Sequence, residues 1–339
     1  MNLYLGVDRE RFERDLMGGL TYSAPAKVIF CGEHYVVYGG RAVACAIPKR
    51  AYATVSHRND GLVSIESQDA RISAVWRGEK LIKSSDQGAP TRLRPLKTMI
   101  DHISERFGAK GFSVVIKSDI PRGMGLGSSA SVSLAVAAAC LASIGHEATL
   151  QDLLEIASIA ESEIHYRSSG VDLAASLTGG FISYVRGEKP RQIPVEDEFN
   201  IILISTKKGR RTGSIVKQVS TLREQFINVF ERLRLVNDEV AAEMEVALRN
   251  LRFERIGALF TIQHNLLKTI GVSNRALDEA VEYALKAGAL GAKLTGAGGG
   301  GCAIAIAPQD KAKEVARAIS TKFPAEILKL PQEGLRREK

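Results

Sequence analysis

A chain of 339 residues can bury two domain-sized cores, and 45% hydrophobic with 25% charged residues is the balance of a soluble globular protein. The formal net charge of +8 suits a small anionic substrate as well as nucleic acid. The basic residues are scattered, however, aromatics are only 6%, and no zinc-finger or RRM signature occurs, so no nucleic-acid partner is expected.

Residues 1–20 carry acids and lack a long apolar run, so they do not read as a signal peptide. The longest apolar stretch, Val132 to Ile144, is too short to span a bilayer, and no membrane partner is expected. Cys31, Cys45, Cys140 and Cys302 lie far apart with no CxxC pair. That argues for reduced thiols in a cytoplasmic protein rather than a disulfide framework or zinc site.

In chain order, SAPAKVIFCGEH and ACAIPKRAYATVSH alternate as strands do, and GLVSIES and ISAVWRG predict two short strands more. A helix is expected from Thr98 to Phe107, then the strand FSVVIKSDI, closed by Pro121. Helices follow at about 129–144 and 150–166. The second opens on TLQD, where Thr149 and Asp152 have capping-box spacing. FISYVRG is a strand, and GEKPRQIPVEDEF, with two prolines, is the expected domain boundary. Beyond it come the strand NIILISTK, a helical stretch over about 214–270 and a helix at about 274–287. The strand CAIAIA, a helix and the strand AEILKL close the chain. The whole predicts an α+β fold in two layered domains.

Six places stand out chemically. In PRGMGLGSSAS (121–131) the glycine order fits neither GxGxxG nor a Walker loop. A backbone cradle for phosphate at a helix N-terminus and a plain strand–helix turn both fit. Glu161 falls on the apolar stripe Leu150, Leu153, Leu154, Ala157, Ile164; turned inward, a carboxylate needs a cation, whereas at the stripe's border it reaches water. Asp172, after Ser-Ser-Gly, has the sequence context of a helix N-cap as much as of a catalytic base. Five glycines among residues 296–301 precede an apolar strand, which points to close backbone approach to a ligand. Finally, Lys27 interrupts an apolar strand that ends on Glu33-His34; a snorkelling lysine and a core histidine fit these equally well. The basic loop TKKGRRTG (206–213) fits a solvated charge run or an anion contact.

Together and in order, APAKVIFCGEHYVVYGG, PRGMGLGSSAS and KLTGAGGGGCAI resemble the three motifs of the GHMP kinases, across residues 24–302. Within that superfamily GEHYVVYGG, the Glu161-to-Asp172 spacing and TKKGRRTG most resemble the mevalonate kinase branch. Ala26 departs from the usual PGK triplet, and Arg167-Ser168 from an Asn-Pro, a change that by the resemblance would alter the substrate pocket. The resemblance implies an N-terminal α/β domain (1–190) and a C-terminal ferredoxin-like domain (191–339) with the active site between them.

It also implies a division of labour. Asp172 would be the base toward the substrate hydroxyl, with Lys27 beside it stabilising charge on the transferring phosphoryl group. Pro121, Gly123, Met124, Gly125, Leu126, Gly127, Ser128, Ser129 and Ala130 would hold the ATP phosphates. Ser129 and Glu161 would hold Mg²⁺. Lys27, Glu33, His34, Asp172, Arg211, Thr212, Gly296 and Ala297 would face the substrate. The implied activity is ATP-dependent phosphorylation of mevalonate by a cytoplasmic homodimer. Another GHMP small-molecule kinase, phosphomevalonate kinase first, and a catalytically silent protein of the same fold are the alternatives.

Overall fold

The computed structural model describes residues 18–164, 168–206 and 212–338. Two sheets organise them. The first has nine strands: β1 (Leu20–Cys31), β2 (Ala42–Arg58), β3 (Leu62–Ser67), β4 (Ile72–Arg77), β5 (Lys80–Ser84), β6 (Gly111–Ser118), β7 (Phe181–Tyr184), β8 (Arg191–Ile193) and β13 (Arg336–Arg337). Their order is β13-β1-β2-β6-β3-β4-β5, with β7 on the far half of the long β2 and β8 on β7. The pair β3–β6 is parallel and the other pairings are antiparallel.

The second sheet has four strands, β9 (Phe199–Ser205), β10 (Gly291–Thr295), β11 (Cys302–Ile306) and β12 (Ala325–Leu330), in the order β10-β11-β9-β12 and antiparallel throughout. Between β9 and β10 lie four helices, α5 (Thr212–Gln225), α6 (Ile227–Arg249), α7 (Phe253–Thr269) and α8 (Arg275–Lys286); α9 (Ala312–Ser320) joins β11 to β12. This is the β-α-β-β-α-β order of a ferredoxin-like unit, so the expected α+β architecture is borne out.

Helices α1 (Ala89–Phe107), α2 (Ser128–Ser143), α3 (Leu150–Ile164) and α4 (Val171–Thr178) belong to the first sheet. One core packs Ala53, Val55, Ile65 and Val114 of that sheet against α1, α2 and α3. Helix α2 is buried nearly all round, which is why its sequence shows no polar face. A second core joins the two sheets: Ala26, Val28 and Phe30 of β1 meet Met244 of α6, Phe260 of α7 and Ile304 of β11. Phe30 stands edge-on to Phe181 and Phe260, with centroids 5.1 Å away in each case, a geometry that adds to its burial.

Several expectations shift. Helix α1 begins nine residues before Thr98 and contains Pro95. Pro90 in its first turn has no helical hydrogen bond to lose, whereas Pro95, inside the helix, removes one. The stretch 214–270 divides into α5, α6 and α7. The segment 187–199, read as a boundary, holds the short strand β8, and β5 and β10 were not foreseen. All four cysteines are free and buried. The Thr149–Asp152 capping box forms as its spacing predicts, with reciprocal bonds of 3.1 Å. Among the described residues no helix is long and apolar enough to cross a membrane.

Candidate active site

Strand β1 carries Lys27 into the space between the sheets. Its side chain is buried, so the snorkelling alternative does not hold. Its backbone N–H donates to the carbonyl of Leu126 at 2.9 Å, and Nζ donates to the carbonyl of Gly125 at 3.1 Å. Nζ also stands 3.0 Å from Asp172 Oδ1. A buried ammonium without such partners would be costly; here carbonyl and carboxylate compensate it.

Asp172 is the second residue of α4, and the N-cap is Gly170, so the capping expectation for Asp172 is corrected. Gly170 sits at φ 82°, where a Cβ would press on the Tyr184 hydroxyl. The turn thereby leaves Asp172 free to face Lys27 rather than bond its own backbone.

The glycine-rich loop wraps the same lysine. Gly123, Gly125 and Gly127 have φ of 69°, 86° and 76°, a left-handed conformation at alternate residues that explains the spacing. A Cβ on Gly127 would lie 3.2 Å from Lys27 Cε and 3.5 Å from Asp172 Oδ2, so the loop closes directly over the pair. Gly127 is the N-cap of α2 and offers no capping side chain, so the first-turn N–H groups of α2 open toward the cleft as an anion site. The Ser131 hydroxyl donates to the carbonyl of Pro25 at 2.7 Å and is 3.0 Å from that of Gly127, fastening the loop to β1.

Glu161 is buried, so the border alternative fails, although the stripe runs Leu153, Ile156, Ala157, Ala160 while Leu150 and Ile164 are exposed. Burial pushes its carboxyl up to about 7; a hydrogen bond with Ser129 and the Lys27 charge act the other way, and the Asp172 charge adds to the rise. Carboxylate and hydroxyl are hard oxygen donors. Among the described residues no three His, Cys, Asp or Glu side chains gather as a metal cage. A sparse oxygen set of this kind fits a magnesium ion that arrives with nucleotide phosphates and keeps most of its other ligands from them and from water.

The remaining wall joins the sheets. His34 has a left-handed backbone, φ 64°, unusual outside glycine. Its Nε2 lies 2.9 Å from the carbonyl of Ala297, and since a carbonyl only accepts, Nε2 carries the proton. The Glu33 carboxylate is directed into the core, where it pairs with Lys293 of β10. Burial raises the Glu33 carboxyl and lowers the Lys293 ammonium, each partly offset by the other's charge.

Gly298 approaches Val272 so closely that a Cβ would collide with its carbonyl oxygen, and one on Gly301 would meet the carbonyl oxygen of Met124 at 2.7 Å. The Thr206 hydroxyl donates to the carbonyl of Gly301 at 2.8 Å. The third glycine run is therefore pinned against the first glycine loop.

These groups line one cleft of about 530 Å³. Lys27, Glu33, His34, Pro121, Gly123, Gly125 to Ser129, Glu161, Asp172, Gly296 and Ala297 all border it. Met124 and Ala130 do not: Met124 is half-buried and packs on the inter-sheet core, and Ala130, on α2, points into the first core. Arg211 lies outside the described residues, as does the side chain of Thr212, the first residue of α5. Sequence reasoning missed Lys293, although a lysine in GALGAKLTG carries the same signal as Lys27 in its strand. It also missed the mouth, where Arg122 Nη2 meets Ser67 Oγ at 3.0 Å and Asp69 Oδ2 at 2.8 Å.

Residues 94–180 match the model of the GHMP kinases N terminal domain and residues 244–325 that of the GHMP kinases C terminal domain. The mevalonate kinase of Thermococcus gammatolerans is 38% identical over 328 residues, 93% of this chain and 97% of that one. Among solved structures, the Methanococcus jannaschii mevalonate kinase superposes with a TM-score of 0.75 at 24% identity, over 95% of this chain and 99% of that one. The Lactococcus lactis galactokinase, complexed with galactose, superposes at 0.80 and 21% identity, over 97% and 98%. At these identities the structural likeness establishes the fold and does not discriminate between acceptors.

Proposed function

The chain belongs to the mevalonate kinase family of the GHMP kinases, an ATP-dependent small-molecule kinase, and we propose that it transfers the γ-phosphoryl group of ATP to the 5-hydroxyl of mevalonate. The observation that carries this reading is the Lys27–Asp172 pair, 3.0 Å apart, set between a glycine loop and the wall of His34 and Ala297. A phosphate site and an acceptor site thus share one ion pair.

In this reading Gly123 to Ser129 bind the triphosphate through backbone N–H groups. Asp172 Oδ2 takes the proton of the attacking hydroxyl as its oxygen bonds to the γ-phosphorus and the bond to the ADP oxygen breaks. Because the transition state is loose, orientation of the hydroxyl by Asp172 counts for as much as proton removal. The Lys27 ammonium stabilises the equatorial oxygens while it holds Asp172 in place. Glu161 and Ser129 would hold Mg²⁺, whose chemistry is to neutralise β- and γ-phosphate charge. His34, Gly296 and Ala297 would border mevalonate, with Arg211 and Thr212 as further contacts. We take residues 1–190 and 191–339 as its two domains, except that β8 and β13, within the second span, return to the first sheet, and we take the active form as a cytoplasmic homodimer.

The test is the product. Incubation with ATP, magnesium and mevalonate should give ADP and a phosphomonoester that ³¹P-NMR couples to the C5 methylene. A product phosphorylated elsewhere, or none, would overturn the assignment.

A further inference from the structure

Strand β10 and strand β1 belong to different sheets and share no backbone ladder, yet Lys293 and Thr295 of β10 and Ala297 just past it grip the end of β1 and the residues that follow it. Lys293 Nζ donates to the carbonyl of Ile29 at 3.0 Å, to the carbonyl of Leu294 and to Glu33 Oε1. Thr295 Oγ1 accepts from the N–H of Ile29 at 2.9 Å. Ala297 accepts from His34 at 2.9 Å. Lys293 and Glu33 are buried to within 1% of full burial, and Glu33 Oε2 has no hydrogen-bond partner among the described residues. Lys293 is therefore the main counter-charge of that carboxylate.

A buried ion pair is a poor way to gain stability, since well-packed apolar residues of the same volume often do better. What it supplies is direction. The three ammonium protons are matched to three fixed acceptors, which sets the height of β10 against residues 29–33. Glu33 is covalently next to His34, whose left-handed backbone is the unusual feature of the wall, and Thr295 is next to Gly296. The pair and the threonine thus fix both sides of the place where His34 meets Ala297, on the cleft wall that faces Lys27 and Asp172.

We propose that Lys293, acting through Glu33, is a positioning residue for the phosphoryl acceptor: it sets His34 and the Gly296–Ala297 turn at the distance from Lys27 and Asp172 that brings the alcohol into line. The inference rests on the kinase reading above. It places Lys293 out of contact with ATP and with the reacting atoms, so its loss affects the acceptor rather than the nucleotide. A wall displaced by about 1 Å is enough to cost on the order of a hundredfold in rate.

The test compares wild type with Lys293→Met/Glu33→Gln, which removes both charges without leaving either buried alone, and with Thr295→Val, which removes one hydroxyl. The double variant should keep its ATP affinity within about threefold, measured with a fluorescent ATP analogue, while the KM for the alcohol rises at least about tenfold and kcat falls. Thr295→Val should shift the same KM in the same direction by less. A residue that only holds the fold would lower the melting temperature and the active fraction and leave both KM values as in wild type; that result overturns the inference. Should the double variant fail to fold, Thr295→Val decides, and an unchanged acceptor KM there overturns it equally. Wild-type enzyme that phosphorylates another alcohol but not mevalonate would refute the substrate reading alone, and the KM comparison then runs on that alcohol.

Discussion

Glu161 allows a prediction whose size follows from its surroundings. Burial raises its carboxyl from 4.5 to about 7, which corresponds to about 3 kcal/mol of discrimination against the ionised form. The sign is that of an acid raised in the folded state. Below pH 4.5 the group is protonated whether folded or not and costs nothing. As pH rises to about 7 the unfolded chain releases its proton first, and the stability present at low pH is lost. Glu161→Gln removes the charge and keeps an oxygen for the Ser129 hydroxyl. Without nucleotide and with EDTA present, urea unfolding should find the variant more stable than wild type by about 1 kcal/mol at pH 5 and about 3 kcal/mol at pH 8. Magnesium with ATP should recover most of that difference for wild type at pH 8 and little for the variant, which should also lose most turnover. A difference that does not change between pH 5 and pH 8, or a variant less stable at pH 8, would refute the reasoning.

Asp172→Asn keeps a group that can face Lys27 but not one that takes a proton; kcat should fall about 10²–10⁴-fold while binding of an ATP analogue, measured by titration, changes little. Gly127→Ala places a Cβ 3.2 Å from Lys27 at φ 76°; the left-handed backbone alone costs about 1–2 kcal/mol, and kcat/KM should drop more than the melting temperature implies, because Lys27 must move. Gly298→Ala forces the third glycine run away from Val272 and should destabilise by about 1–3 kcal/mol in urea, with loss of activity following from the shift toward Met124.

Much of this site is visible in the residues because its chemistry contradicts its context. Lys27 within an apolar strand, Glu161 on an apolar stripe and glycines where a chain should be stiff each break a local rule, and such breaks concentrate at functional sites. What was hidden depends on distance across the fold. Lys293 broke the same rule as Lys27 but lies 260 residues from Glu33 in sequence, so its partner could not be inferred. Asp172 had the context of a cap, and only the left-handed Gly170 shows why it is not one. The first half of α1 carries Pro90 and Pro95, the second inside the helix where proline is unfavourable, so local sequence gives that half little helical signal. The ferredoxin-like character of the second sheet's domain came from the family resemblance, and its strand order β10-β11-β9-β12 only from the structure, because alternation along a strand says nothing of its neighbours.

In the proposed reaction one cleft carries phosphate and mevalonate on opposite sides of the Lys27–Asp172 pair. Initial rates of ADP release, with mevalonate, 5-phosphomevalonate, homoserine and galactose each offered as acceptor, test it most directly. The kcat/KM for mevalonate should exceed that for every other acceptor by at least about a hundredfold, a floor below the roughly 10⁴-fold that a site hydrogen-bonding its substrate can reach. A higher kcat/KM for 5-phosphomevalonate, or for either of the others, would contradict it.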